Sequence, residues 1–128
     1  MQKRLPVTDR FFADTYALIE MVGGNANYAP YKSTEIVTGE CNIVELYYCL
    51  IRDFDEQTAN VKIRPFLFAI VTLSWTALVS GMKLKLNHRK EKLSYVDCVG
   101  YALAKEHRIP FLTGDSKFEN RENVSFVK

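Results

Sequence analysis

The sequence predicts an α/β fold built on a mostly parallel sheet. Strand-like and helix-like segments alternate from one end to the other, no tight two-residue hairpin such as Asn-Gly joins two strands, and single acids stand where a strand gives way to a helix. The expected architecture is an α/β/α sandwich with four or five strands in one central sheet. At 128 residues the chain has one domain's length, enough to bury roughly two thirds of its unfolded surface in a single core, so residues 1–128 are read as a single domain. No internal repeat, low-complexity segment or linker divides them.

Taken in order, RFFADTYALIEMVGG is a short apolar strand ending near Asp14, then a short helix stopped by Gly23-Gly24. The polar loop NANYAP and a brief helical stretch lead to a strand over 35–38. In the helix ECNIVELYYCLIRDF, Ile43, Leu46, Tyr47, Leu50 and Phe54 recur at three and four residues and form one apolar stripe. A polar helix over 55–64 precedes Pro65. The run FLFAIVTLSWTALVS over 66–80 is the nearest thing to a membrane span, but it is shorter than about 18 residues and carries Thr72, Ser74, Thr76 and Ser80. It reads instead as core: a buried strand over 68–73, then a helix from Trp75 capped by Ser74 and ending in KLKLNHRKEK. A helix over 95–107, a strand over 109–113, the turn Gly114-Asp115, a short helix over 116–120 and a last strand VSFV complete the chain.

Composition bounds the function. Hydrophobic residues at 48% and charged residues at 25% exclude disordered and fibrous classes, while a net charge of +2 is too small to indicate a polyanion partner by itself. Cys41, Cys49 and Cys98 are odd in number and lack the paired spacing of a zinc site or a disulfide framework, so a reducing cytoplasm is expected. Asp9, Arg10, Asp14 and Glu20 interrupt what would have to be a signal peptide's apolar core.

Four acids carry the functional reading. Ligands of open parallel sheets bind beyond the carboxyl ends of the strands, and Asp14 and Asp115 are expected at two such ends, with Gly114 permitting a sharp turn. Glu45 has Cys41 and Cys49 as its four-residue neighbours, which predicts a face that is not solvated. Asp97 falls three residues after Ser94, in a helix's first turn, with Tyr101 on the same face. Each acid also has a plain structural reading. Asp14 and Asp115 serve as helix or turn caps, Asp97 answers Ser94 in a capping-box-like arrangement, and Glu45 is a chance buried or interface acid. Semi-buried acids without matched Arg or Lys imply instead a shared cation.

These residues carry a family resemblance that runs nearly end to end. FFADTYALIEMV, CNIVELYY, and LSYVDCVGYALA followed by IPFLTGD resemble the motifs of PIN domains, most closely those of VapC-type toxin ribonucleases of prokaryotes. The last pair, in that order and spacing, is the most specific. The resemblance implies that Asp14, Glu45, Asp97 and Asp115 bind one or two Mg²⁺ or Mn²⁺ ions. Thr15, Ser94 and Glu119 are expected as supporting residues. The implied activity is hydrolysis of RNA phosphodiester bonds, leaving a 5′-phosphate and a 3′-hydroxyl and requiring no histidine or serine nucleophile. It also implies a homodimer and a small antitoxin protein whose carboxyl-terminal segment lies in the active-site groove.

RNA binding calls for positive charge, and Lys83, Lys85, Arg89, Lys90 and Lys92 are the candidates, against the plainer reading of a solvated helix end. Tyr16, Tyr47 and Tyr48 are candidates for stacking on bases or for packing. The acids alone do not separate a toxin from a housekeeping RNA-processing PIN nuclease. A non-catalytic PIN-like RNA-binding module would lack at least one acid of the site. A receiver-type signalling domain would need a central Asp ending a middle strand and a Lys-Pro after a late one. Here Asp53 and Asp55 close a helix, and Thr113-Gly114-Asp115 follows the late strand.

Overall fold

The structure, a computed structural model, describes residues 9–128; the expectation that no signal peptide is present falls in part on residues 1–8, which lie outside the described residues. The strands are β1 (Arg10–Ala13), β2 (Glu35–Gly39), β3 (Ile70–Val71), β4 (Phe111–Thr113) and β5 (Val124–Phe126). Between them run the helices α1 (Thr15–Val22), α2 (Glu40–Asp53), α3 (Glu56–Ile63), α4 (Trp75–Asn87) and α5 (Tyr95–Glu106), with 3₁₀ turns at Ala26–Ser33, Arg64–Phe66, Arg89–Glu91 and Ser116–Phe118. The sheet order is β3-β2-β1-β4-β5, and every pairing is parallel.

Alternation along the two central strands divides the core in two. Phe12 and Phe111 pair in register and face α4 and α5, together with Leu93, Cys98, Tyr101, Leu103 and Phe118. Phe11, Ala13 and Leu112 face α1, α2 and α3 with Leu18, Tyr28, Leu46, Leu50 and Ile63. Successive side chains of a strand point to opposite faces, so these short apolar runs need helices on both. Phe12 and Phe111 stack at 5.9 Å between centroids, and Tyr101 meets Phe111 edge-on at 5.6 Å. Gly100 lets α5 lie down on this pair, since a Cβ there would come within 3.1 Å of Phe12 and 3.3 Å of Phe111.

Most expected elements form close to their expected bounds. The exception is the buried strand over 68–73. Only Ile70 and Val71 pair, at the sheet's edge, and Phe68 is 92% exposed. The 3₁₀ turn Arg64–Phe66 lies shortly before it, and an edge strand has a partner on one flank only. Val71 and Leu73 still pack against the core. Among the described residues no helix is long and apolar enough to cross a membrane.

The topology fixes where a ligand would bind. From β1 the chain builds outward through β2 and β3, then returns to add β4 and β5 on the other side. The crevice beyond the carboxyl ends of β1 and β4 is therefore the switch point of the sheet, and Asp14 and Asp115 follow those two ends.

Candidate functional site

Asp14 is 1% exposed and immediately follows β1. One carboxylate oxygen caps α1 by accepting from the Ala17 amide at 2.9 Å, and the other accepts from the Thr113 hydroxyl at 2.5 Å. Thr113 Oγ1 in turn accepts from the Asp115 amide at 3.0 Å. One polar thread thus ties the end of β1 to the end of β4. The capping reading of Asp14 holds, and it does not exclude a site, because an ionised carboxylate has more lone pairs than these two bonds use.

Asp115 caps the following 3₁₀ turn through the Lys117 amide at 3.0 Å. Gly114 is required for close approach rather than for a left-handed turn: a Cβ there would fall 2.2 Å from the Tyr16 ring and 2.4 Å from the Val127 carbonyl oxygen. Asp97 lies in the first turn of α5, where Ser94 caps the helix by accepting from the Asp97 amide at 3.0 Å. Glu45 is half-buried on α2 and accepts from the Thr15 hydroxyl at 2.6 Å. Its face is less enclosed than the sequence predicts, since Cys41 is exposed and Cys49 only partly covered.

Electrostatics join these residues. Burial pushes the Asp14 carboxyl up to about 7, the negative charges of Asp97 and Asp115 add to that, and the bonds from Thr113 and Ala17 oppose it. Burial likewise raises Asp97 to about 6, with Asp115 and Glu45 adding while Ser94 and the cation of Lys117 oppose. Each of the four acids therefore feels at least one of the others. The ion pairs among the described residues lie elsewhere, at Arg10–Glu35, Arg52–Asp53, His88–Glu91, Lys105–Glu122 and Arg121–Glu91. Buried carboxylates without a basic partner gain most from a cation. Among the described residues no three Asp, Glu, His or Cys side chains stand close enough to share one ion as they are placed. Oxygens of Asp14, Glu45 and Asp115 are engaged by Ala17 and Thr113, by Thr15 and by Lys117. The donor set is nonetheless all oxygen, as a hard divalent cation prefers.

The other expected residues divide. Thr15 and Ser94 stand at the acids, as described, whereas Glu119 is exposed and ends the Ser116–Phe118 turn. Lys83 lines a groove between α4 and α5 with Tyr101 and Lys105, apart from the acids. Lys85 is committed to structure, donating to the Leu93 carbonyl at 2.5 Å and lying 4.5 Å over the Tyr95 ring. Arg89 and Lys90 are exposed in the turn after α4, so the basic stretch does not form one surface. Lys92 is tied to the site's neighbourhood, its carbonyl accepting from Lys117 Nζ at 3.2 Å. Of the tyrosines, Tyr16 packs over Gly114, Tyr47 donates to Asn60 at 2.6 Å and Tyr48 is exposed. Sequence reasoning misses Thr113 and Lys117, both in the LTGDSK segment. Thr113 offered a signal as a hydroxyl residue ending an apolar strand two positions before an acid.

The model of the PIN domain family matches residues 11–123. Among curated proteins none matches the chain significantly in sequence. Solved structures are similar over nearly the whole length. A toxin–antitoxin complex from Klebsiella pneumoniae has 19% identity and a TM-score of 0.71, covering 89% of this chain and 94% of that one. VapBC2 from Rickettsia felis, bound to a DNA fragment from its promoter, has 15% identity and a TM-score of 0.74, covering 93% and 99%. VapC20 from Mycobacterium tuberculosis, described as a toxin that cleaves the sarcin–ricin loop, has 17% identity and a TM-score of 0.73, covering 92% and 99%. At such identities the likeness is one of fold, and it agrees with the α/β/α sandwich and parallel sheet described above. With the family model spanning all four acids and the strands that position them, this chain belongs to the PIN domain family.

Proposed function

We propose that this protein is a divalent-metal-dependent endoribonuclease and the toxin of a toxin–antitoxin pair. The observation that supports the reading is electrostatic: burial raises Asp14 and Asp97 toward neutrality, with the charges of Asp97 and Asp115 adding at Asp14 and those of Asp115 and Glu45 adding at Asp97. The four carboxylates would hold one or two Mg²⁺ or Mn²⁺ ions. When bound, such an ion makes water acidic enough to attack phosphorus and neutralises charge on the leaving oxygen.

The chain's own residues do the rest. Thr113 and the Ala17 amide fix the Asp14 carboxylate, Thr15 fixes Glu45, and the α1, α5 and 3₁₀-turn caps keep Asp14, Asp97 and Asp115 on rigid elements. Lys117 supplies positive charge beside Asp97, suited to an RNA phosphate. The antitoxin partner rests on the neighbours that are toxin–antitoxin complexes, and homodimerisation rests on the family resemblance.

The test is incubation of the purified protein with total cellular RNA and Mn²⁺, with and without EDTA, beside Asp97→Asn, followed by mapping of the cut ends. Discrete cuts bearing 5′-phosphates, lost with EDTA and in the variant, are expected. Cleavage that survives both treatments would remove the proposed site.

A further inference from the structure

The geometry points to Asn42 as a positioning residue of the acidic site, acting through Thr15 on Glu45. Asn42 is 1% exposed and lies on α2 one turn before Glu45, on the same helix face. Its Nδ2 donates to Thr15 Oγ1 at 3.2 Å, and Thr15 Oγ1 donates to Glu45 Oε1 at 2.6 Å. A hydroxyl carries a single proton. By filling a lone pair of Thr15 with an amide N–H, Asn42 directs that proton to the Glu45 carboxylate, so the polarity of the relay is set at Asn42, three positions before Glu45.

A second observation concerns the space around the amide. Gly39 stands at the N-cap of α2, a position that glycine fills about as readily as threonine, and it contributes no capping side chain. The backbone of Gly39 is ordinary extended chain, so its conformation does not demand glycine. A Cβ at Gly39 would instead stand 2.9 Å from Asn42 Oδ1 and 3.4 Å from the Phe12 ring. A side chain at position 39 would therefore make the Asn42 amide shift. Thr15 adjoins Asp14, so the relay also ties the helix that bears Glu45 to the one that Asp14 caps. Outer-shell partners of this kind typically contribute 10- to 100-fold to metal affinity.

This inference rests on the proposed metal site, and the test separates the two. Mn²⁺ affinity is measured by calorimetry on the purified full chain for the unmutated protein, Asn42→Ala, Thr15→Val, their double variant and Asp97→Asn, each confirmed folded by circular dichroism. Asn42→Ala is expected to weaken Mn²⁺ binding about tenfold or more. Thr15→Val should do the same, and the double variant should be no worse than the weaker single, because the two residues form one relay. Gly39→Ala, which crowds the amide without removing it, should lose part of the affinity and serves if Asn42→Ala does not fold. Unchanged affinity in Asn42→Ala or Gly39→Ala, with binding lost in Asp97→Asn, would overturn the role of Asn42 and leave the site standing. Undiminished binding in Asp97→Asn would overturn the site and the relay together.

Discussion

Two regions of this molecule break the ordinary rule of burial in opposite directions. At the carboxyl end of β1 and β4 an acid is enclosed almost completely, with Asp14 1% exposed, whereas at the β3 edge Phe68 and Trp75 are 92% and 78% exposed. The two departures have different physical standing. Scattered exposed apolar residues are normal on soluble proteins and cost little. A buried carboxylate is costly unless something offsets it, and here hydrogen bonds from Thr113 and Ala17 offset only part, so its carboxyl still rises to about 7. The buried polar end is therefore the more informative region, even though the apolar edge is the more conspicuous in sequence.

The comparison breaks first at the level of activity. Asp14→Asn and Asp97→Asn are each expected to abolish metal-dependent RNA cleavage while circular dichroism shows the fold retained; cleavage at the unmutated rate in both would remove the distinction between the two regions. Next in size are changes to the core beneath the site. Phe111→Ala, at a fully buried position stacked on Phe12, should cost about 3–5 kcal/mol in denaturant unfolding, while Phe68→Ser should stay within about 0.5 kcal/mol. Similar costs for the two would mean that the β3 edge is part of the core after all.

Acidity sharpens the comparison further. Asp14 and Asp97 have folded-state values raised above the ordinary carboxylate value of 3.8. Between pH 4 and pH 7 these two groups therefore bind more protons in the folded metal-free protein than in the unfolded chain, and the part of the stability they govern falls as pH rises through that window. Asp14→Asn should flatten the fall and stabilise the metal-free protein at pH 8, by on the order of 2 kcal/mol or more at a position this enclosed. A melting temperature with the same pH dependence in the variant and the unmutated protein would contradict that assignment. The smallest effect expected is at the rim: Lys117→Ala should lower the salt slope of RNA binding by about 1, and an unchanged slope would confine Lys117 to its bond with the Lys92 carbonyl.

Much of this arrangement was legible in the sequence, for reasons that differ between residues. The central strands read correctly because Phe11-Phe12-Ala13 and Phe111-Leu112-Thr113 are short apolar runs ending at an acid or a Thr-Gly-Asp turn, and alternation sends their side chains to two covered faces. Asp14, Asp97 and Asp115 were visible because chain order places each at a helix or turn start, where capping and site chemistry use the same side chain. The strand over 68–73 misleads because periodicity does not distinguish a central strand from an edge: Phe68 and Val71 have the same β propensity, and only the sheet order decides which is covered. The basic stretch misleads similarly, since sequence proximity does not reveal that Lys83 turns to the α4–α5 groove and Lys85 to a carbonyl. Thr113 and Asn42 went unnoticed because their partners, Asp14 and Thr15, are 99 and 27 positions away.

The central claim is that the four acids form a cation site, and calorimetric titration with Mn²⁺ at pH 6.5, repeated in buffers of different ionisation enthalpy, tests it most directly. A metal that displaces the proton of Asp14 and part of that of Asp97 must release protons on binding. The account predicts saturable binding with proton release in the unmutated protein, with less release and weaker binding in Asp14→Asn. Absence of saturable binding, or binding unaffected by Asp14→Asn, would contradict it.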